Sequence, residues 1–421
     1  MAGTSEDGTV HVVGAGIAGL ACAVRLVHEG RAVRLHEAAG QAGGRCRSYY
    51  DARLQRTIDN GNHILLSANR EALAYVEEIG ATESLIGPSR AAFPFVDLET
   101  GERWTLRPGR GPIPWWLLDP RRRVPGTGLG AYLAGLRLAR AGPSATVADC
   151  LDANDPLWAR FWEPLCVAAL NTAPQEASAR LFWLVVRDSF LRGEAACRPL
   201  IARDGLAASF VDPALARLRQ AGVEISFNTR LRALEMDGDR VRALEFGGER
   251  VALAPADRAV LALPPTVAAE LLPDLEVPDE SRAIVNVHIR LDAPPRLPED
   301  LPFLGLVGSW ADWLFLRGDV VSLTVSAAQA LAAESSEAIG ERLWRDTALA
   351  LDLPAEPRPP MRVIKERRAT FAQTPAALAR RPPARTRWKN LLLAGDWTAT
   401  GYPATIESAV RSGRAAAGLV G

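Results

Sequence analysis

Three glycines in six residues, Gly14-Ala15-Gly16-Ile17-Ala18-Gly19, stand directly behind the apolar run Val10 to Val13. A buried strand that must turn at once into a helix has few other ways of doing so. In such a turn the first glycine permits the reversal and the second lets backbone approach a pyrophosphate. The third lets the helix pack closely on the strand. The stretch from Ile17 to Glu29 reads as that helix, whose N-terminus offers free N–H groups and partial positive charge to an anion. Gly30 is placed to stop it, and Ala32 to Glu37 reads as a second strand. Glu37 follows Gly14 at the roughly 20-residue interval where an acid binds ribose hydroxyls. Strand, helix and acid in register predict a dinucleotide-binding unit whose ligand-facing residues are Gly14, Ala15, Gly16, Gly19 and Glu37.

A glycine turn alone does not say which dinucleotide. Gly40-Gln41-Ala42-Gly43-Gly44-Arg45 follows the acid at once, and Asp59-Asn60-Gly61-Asn62-His63 comes soon after. Near the other end, Asn390-Leu391-Leu392-Leu393-Ala394-Gly395-Asp396-Trp397 has the form strand, glycine, acid. A loop then leads to Pro403-Ala404-Thr405-Ile406 and a final helix, with Pro403 read as an early helical position that needs no N–H. This set resembles the amine oxidase, phytoene desaturase and protoporphyrinogen oxidase superfamily of flavoproteins. The resemblance implies an α/β fold: a Rossmann-like FAD-binding domain of the GR2 type, with an α+β substrate domain inserted in discontinuous segments. It implies FAD, held noncovalently because no Cys or His stands where that resemblance marks flavin attachment. Gly43, Gly44 and Arg45 are expected against the pyrophosphate, Gly61, Asn62 and His63 near the flavin, and Leu231 beside the adenine through its backbone. Gly395 and Asp396 are expected at the ribityl–phosphate region. Ala404, Thr405 and Ile406 open a helix aimed at the N1–C2=O edge, where a helix N-terminus stabilises the negative charge of reduced flavin.

The middle of the chain is similar to the hydroxysqualene dehydroxylases. The similar stretches are Asp59 to Leu66 with Asn69-Arg70-Glu71, Trp162 to Thr172, Ile284 to His288, and Trp313-Leu314-Phe315. This branch implies reductive removal of a hydroxyl from a C30 isoprenoid in squalene and hopanoid synthesis. Asn171, Asn286, His288, Trp313 and Phe315 are then expected to line the substrate pocket, with His63 as the acid. Asp59 reads as a loop brace, and His11, His28 and His36 as structural. Two other readings use the same scaffold: an oxidative carotenoid (phytoene-type) desaturase or amine oxidase, and a flavin-binding scaffold without turnover. Many amine oxidases place a lysine–water pair near the flavin. Here the lysines are Lys365 and Lys389 alone, none of them in the middle segment, which weakens the amine reading.

A chain of 421 residues predicts two domains. The FAD-binding domain is expected in residues 9–86, 205–274 and 387–421, and the substrate domain in 87–204 and 275–386, mixing helices with an antiparallel sheet. Leu206 to Gln220 reads as one helix, and Pro125 to Gly130 as a loop entering a helix around Ala131 to Ala139. Basic and acidic residues balance at 49 each, so no global charge argues for nucleic acid as a partner. The five cysteines form no CxxC pair and no metal spacing, which predicts a reduced compartment and no metal. The polar first eight residues and the absence of a long apolar run predict a cytoplasmic protein without a spanning helix. Ile113-Pro114-Trp115-Trp116-Leu117-Leu118-Asp119-Pro120-Arg121-Arg122-Arg123 suits either of two roles. One is an interfacial anchor, Trp115 to Arg123, on the inner face of the cell membrane; the other is a lid over the substrate cavity. Upstream squalene-pathway enzymes are a further expected contact. Trp158, Phe161, Trp162, Phe182 and Trp183 recur at helical spacings and predict core, part of it lining a long cavity.

Overall fold

The computed structural model describes residues 8–111 and 113–420. Val10–Val13 is buried at every position and forms the middle of a five-stranded parallel sheet. The order across that sheet is Glu224–Ser226, Val33–His36, Val10–Val13, Arg258–Leu261 and Leu391–Leu393. Strands from three distant parts of the chain therefore build one layer, as parallel pairing requires crossovers instead of hairpins. Beyond Val13, Gly14 adopts φ +106°, and a Cβ there would stand 2.3 Å from the Ala262 carbonyl oxygen. The helix Ile17–His28 then covers the sheet with Leu20, Val24 and Leu26, all fully buried. The last helix, Ile406–Ala417, lies against it through Ile406, Ala409, Val410 and Ala416.

The single helix expected from Leu206 to Gln220 is two, Leu206–Phe210 and Asp212–Gln220. Val211 between them leaves helical geometry at φ −116°. Pro213 explains the break: it donates no N–H and its ring clashes with the carbonyl four residues back, so the chain restarts with proline in a first turn. The helix expected around Ala131 to Ala139 begins earlier, as Leu129–Leu133, and tightens to a 3-10 helix over Ala134–Arg140.

The second large layer is a seven-stranded sheet. Its order is Met361–Phe371, Ser281–Arg290, Val320–Val325, Trp313–Arg317, Phe303–Val307, Phe93–Asp97 and Arg103–Leu106. The expected antiparallel sheet has one exception, since Phe303–Val307 runs parallel to Phe93–Asp97. These two strands come from separate stretches of chain, and no hairpin sets their direction. Strand alternation gives this sheet two unlike faces. Val285, Val287, Leu323 and Val325 pack behind it on Ile339, Leu343 and Trp344 of the helix Ser336–Leu351. Asn286, His288, Ser322 and Thr324 face the other way, toward the loop at residues 59–63. Between the layers, Pro199–Ala202 pairs antiparallel with Leu65–Leu66 and Leu85–Ile86.

Gly413 makes the contact of first and last helices as close as it is, because a Cβ there would fall 2.2 Å from the Ala18 carbonyl oxygen. Backbone cannot rotate aside as a side chain can. Overpacking of about 1–3 kcal/mol therefore outweighs the ~1 kcal/mol of helix propensity that alanine adds. Gly413→Ala is expected to unfold at a lower denaturant concentration than wild type. An unchanged midpoint would show that the two helices separate freely.

Candidate functional site

The first glycine turn and the second are stitched together. Gly43 N donates to the Ala15 carbonyl at 2.8 Å, and Gly16 and Gly43 form a parallel bridge. Gly43 and Gly44 both take positive φ, +105° and +54°. Gly19 is packed so tightly that a Cβ would lie 1.9 Å from the Gly14 carbonyl oxygen, whereas a Cβ on Gly16 would meet nothing within 4 Å. The turn is thus closed on its protein side and open above Gly16. Glu37, at the end of the second strand, accepts from Ala15 N at 2.7 Å and from Ala39 N at 2.8 Å. Thr229 N donates to the Glu37 carbonyl at 2.8 Å, which brings the start of the strand Leu231–Asp237 alongside, and Leu231 is buried in one cluster with Val13.

The other end of the site joins residues from both chain termini. Arg45 Nη2 donates to Asp396 Oδ1 at 2.7 Å across 351 residues of sequence, and Arg45 Nη1 donates to the Ala369 carbonyl. Gly395 N donates to Ser412 Oγ. The helix Ile406–Ala417 is capped by Thr405, whose side chain accepts from Ser408 N, so Ala404, Thr405 and Ile406 lie at its N-terminus. Pro403 lies outside the helix instead of in its first turn; it precedes the cap by two residues and fixes the approach. Ala404 N donates to Gln373 Oε1 at 2.9 Å.

Two residues at this end carry no motif. Arg381 is buried and donates to the carbonyls of Asp396, Thr398 and Tyr402 and to Thr400 Oγ1, holding the whole loop. Burial pushes its pKa down to about 10, against the attraction of Asp396. Gln373, fully buried, spans from Ala404 to the Leu170 carbonyl. Only a signal from distant partners could have singled them out, since neither stands in a spaced pattern.

The loop at residues 59–63 docks on the polar face of the seven-stranded sheet. Asn62 Nδ2 donates to Thr324 Oγ1 at 3.0 Å, Thr324 donates to Asn286 Oδ1, and Asn286 Nδ2 donates to the Asn60 carbonyl. Asp59 braces the loop: Ser48 Oγ and Leu206 N donate to it, and Arg317 Nη2 lies 2.8 Å from its second oxygen. His288 Nδ1 is 2.7 Å from Ser322 Oγ, while its Nε2 is buried without a hydrogen-bond partner among the described residues. A cavity of about 20 Å³ is lined by Asp59, Asn62, His63, Phe315, Arg317 and Ser322. That volume holds one water. Burial lowers the pKa of both His63 and His288 to about 4, with Asp59 pulling the other way in each case. Both rings are therefore neutral at pH 7.

Beside this polar face lies an aromatic one. Phe315 and Trp313 point to the same side of their strand, with Trp313 5.5 Å from Phe95 and 6.1 Å from Phe303, centroid to centroid. Trp158, Phe161, Trp162 and Phe182 are buried in the same cluster, and Trp183 is half-buried against it. Asn171 stands apart from the polar cluster. It ends the helix Glu163–Leu170 in a left-handed conformation at φ 47°. Its amide is taken up by Thr370 Oγ1, the Arg282 carbonyl and Ala327 N. His11 and His36 are buried and stacked at 5.5 Å, and His28 is exposed.

Residues 17–421 match the family of flavin-containing amine oxidoreductases. Proteins named hydroxysqualene dehydroxylase are similar over nearly the whole length. The one from Rhodopseudomonas palustris is 49% identical, with 98% of each chain covered. The one from Zymomonas mobilis is 43% identical, covering 97% of this chain and 98% of its own. The chain belongs to the hydroxysqualene dehydroxylases of the flavin-containing amine oxidoreductase family. Among solved structures, cyclohexylamine oxidase from Brevibacterium oxydans shares the fold, with a TM-score of 0.68 at 16% identity over 98% of each chain.

Members of this family are flavin-dependent oxidoreductases, and the residues present fit a flavin. The space above Gly16 admits a ligand where any side chain would intrude, and it lies at the N-terminus of the helix Ile17–His28, the end that favours an anion. Gly16→Val tests this directly. Gly16 already has extended geometry, φ −73° and ψ 176°, and its Cβ would touch nothing, so folding is expected to change by less than about 1 kcal/mol. Bound flavin, read from visible absorbance after purification, is expected to disappear. Wild-type flavin content in this variant would place the cofactor elsewhere.

Proposed function

We propose that this chain removes the hydroxyl of hydroxysqualene reductively, giving squalene, with FAD as its noncovalently held cofactor. The identity of 49% with the Rhodopseudomonas palustris hydroxysqualene dehydroxylase, over 98% of both chains, carries the reading. Gly16, Gly43 and Glu37 would hold the dinucleotide, Arg45 and Asp396 its middle, and the helix N-terminus at Thr405 the ring's electron-rich edge. Bound and reduced, FAD supplies the hydride equivalent. Noncovalent binding is supported at Cys46, next to Arg45: the thiol is buried and its pKa is pushed up to about 12, so it does not act as a nucleophile.

The substrate is an allylic alcohol, and loss of its protonated hydroxyl leaves a resonance-stabilised cation. Phe315, Trp313 and the cluster behind them exclude water and present aromatic faces that favour a developing positive charge. The polar edge of the site meets this aromatic wall at the cavity shared by His63 and Phe315, which is where a hydroxyl must be held and protonated. We assign proton delivery to His63. Amine oxidation fits less well. Lys365 sits with Val363 on the rear face of the sheet, and its amine donates to the Glu334 carbonyl, away from the loop at residues 59–63.

Anaerobic mixing of chemically reduced enzyme with hydroxysqualene is expected to give one squalene per flavin oxidised. Failure there, joined with desaturation of phytoene by the oxidised enzyme, would favour the oxidative reading. Acid precipitation is expected to release all yellow colour into the supernatant; colour left on the polypeptide would overturn noncovalent binding.

His63, at a pKa of about 4, makes a second test. Only about one part in a thousand is protonated at pH 7, and the share grows tenfold per unit downward. The single-turnover rate is expected to rise as pH falls from 7 toward 4, and His63→Ala to be slow and flat over that range with flavin still bound. A pH-independent wild-type rate would remove His63 as the acid.

A further inference from the structure

The short helix Trp115–Leu118 divides its side chains sharply. Trp116 and Leu117 are buried, while Trp115 is 67% exposed, Leu118 62%, and Ile113 before them is exposed as well. The two tryptophans of the segment, which the sequence reading treats together, thus part company. Trp116 packs edge-on to Tyr132 with centroids 5.9 Å apart, and Gly109 leaves room for it.

The helical segment that follows, Leu129–Leu133 continuing as Ala134–Arg140, repeats the pattern. Tyr132, Gly135 and Leu138 turn inward, and a Cβ on Gly135 would fall 2.6 Å from the Trp162 ring. Leu129, Leu133 and Leu136, at spacings of four and three, are exposed on the opposite side. The Trp116–Tyr132 ring contact ties the two segments together, and the Tyr132 hydroxyl accepts from Val124 N in the chain between them. Six large apolar side chains therefore stand outward on two adjoining segments, an arrangement that marks interaction surfaces.

The surrounding charge says what they meet. Residues 107–148 carry seven arginines and one acid, Asp119, in a chain whose basic and acidic residues balance only as a whole. Arg110, Arg121, Arg137 and Arg140 are exposed, and Asp119 is already bridged by Arg121. A second copy of the chain packed here about a twofold axis would set these arginines against their own kind. We propose that this face rests on an anionic phospholipid bilayer, its apolar side chains at the headgroup–acyl boundary and its arginines on lipid phosphates. No helix among the described residues is long and apolar enough to cross a membrane, so the contact is interfacial.

Sedimentation of the flavin-loaded protein with vesicles, without substrate, tests the surface apart from the reaction. Vesicles of phosphatidylcholine with phosphatidylglycerol are expected to bring the protein down, and pure phosphatidylcholine far less. Trp115→Glu with Leu133→Glu is expected to abolish pelleting at wild-type flavin content, the control for folding. Arg121→Gln, Arg137→Gln and Arg140→Gln are expected to weaken binding about fivefold for each charge removed, with a smaller response to salt. Wild-type protein that stays in solution with the anionic vesicles overturns the proposal, as does full pelleting of the double glutamate variant. A wild-type dimer by light scattering that becomes monomeric in that variant, without vesicle binding in either, assigns the face to a second copy.

Discussion

At Gly413 the last helix approaches the first so closely that the Ala18 carbonyl stands where a side chain would begin. The separation of the two helices sets the distance between their N-termini. Those ends are the Gly14–Gly19 turn and the loop from Gly395 to Thr405, so the two halves of the proposed flavin site inherit their spacing from this helix contact. Neighbouring bonds confirm the same geometry. Arg45 reaches Asp396, and Glu407, buried on the last helix, accepts from Glu71 N and Ala72 N at the start of the helix Arg70–Glu78. Arg414, the residue after Gly413, pairs with Glu71 and Glu78 of that helix. A ligand bound across this junction meets a frame whose entropy cost has already been met in folding.

The seven-stranded sheet gives the site its mixed character through plain alternation. Along the strand Ser281–Arg290, Asn286 and His288 face the loop at residues 59–63 while Val285, Val287 and Ile289 face the rear helix, so neighbouring positions alternate between polar and apolar. Where the sheet continues through Trp313–Arg317, the front face turns aromatic. A wet edge and a dry wall thus lie on one surface without any loop having to carry either. The buried groups are treated unequally. Arg381 keeps its charge among four acceptors, whereas His63 and His288 are left neutral by desolvation.

The parts of this arrangement set by local spacing were readable before any coordinates. Gly14, Gly16 and Gly19 act within one turn, so their separations alone imply the pyrophosphate cradle, and Glu37 follows one βα step later. The strand, glycine and acid around Asp396 are equally local. Contacts made at long range were not readable. Arg381 is one of several arginines in its stretch, and nothing in its neighbours announces that four groups of the 396–402 loop converge on it. Glu407 and Gln373 are alike in this respect. Asn171 fits a pocket by its family position, but its helix-ending conformation commits the amide to the fold. The break at Val211 was legible in Pro213, and the opposed fates of Trp115 and Trp116 depend on the rotation of a single turn.

The discontinuity of the parallel sheet has a temporal side. Its edge strand Leu391–Leu393 is made about 380 residues after Val10–Val13, yet it pairs with Arg258–Leu261, which in turn pairs with Val10–Val13. At about 5–20 residues per second, a ribosome needs roughly 20–80 s to pass from the first of these strands to the last. Through that interval the edge of Arg258–Leu261 is bare, and the apolar side of the first helix has no Ile406–Ala417 to cover it. The nascent polypeptide must be shielded from its neighbours while it waits, and a ligand that bridges the first and last of these strands finds no complete site until Leu391–Leu393 has been made.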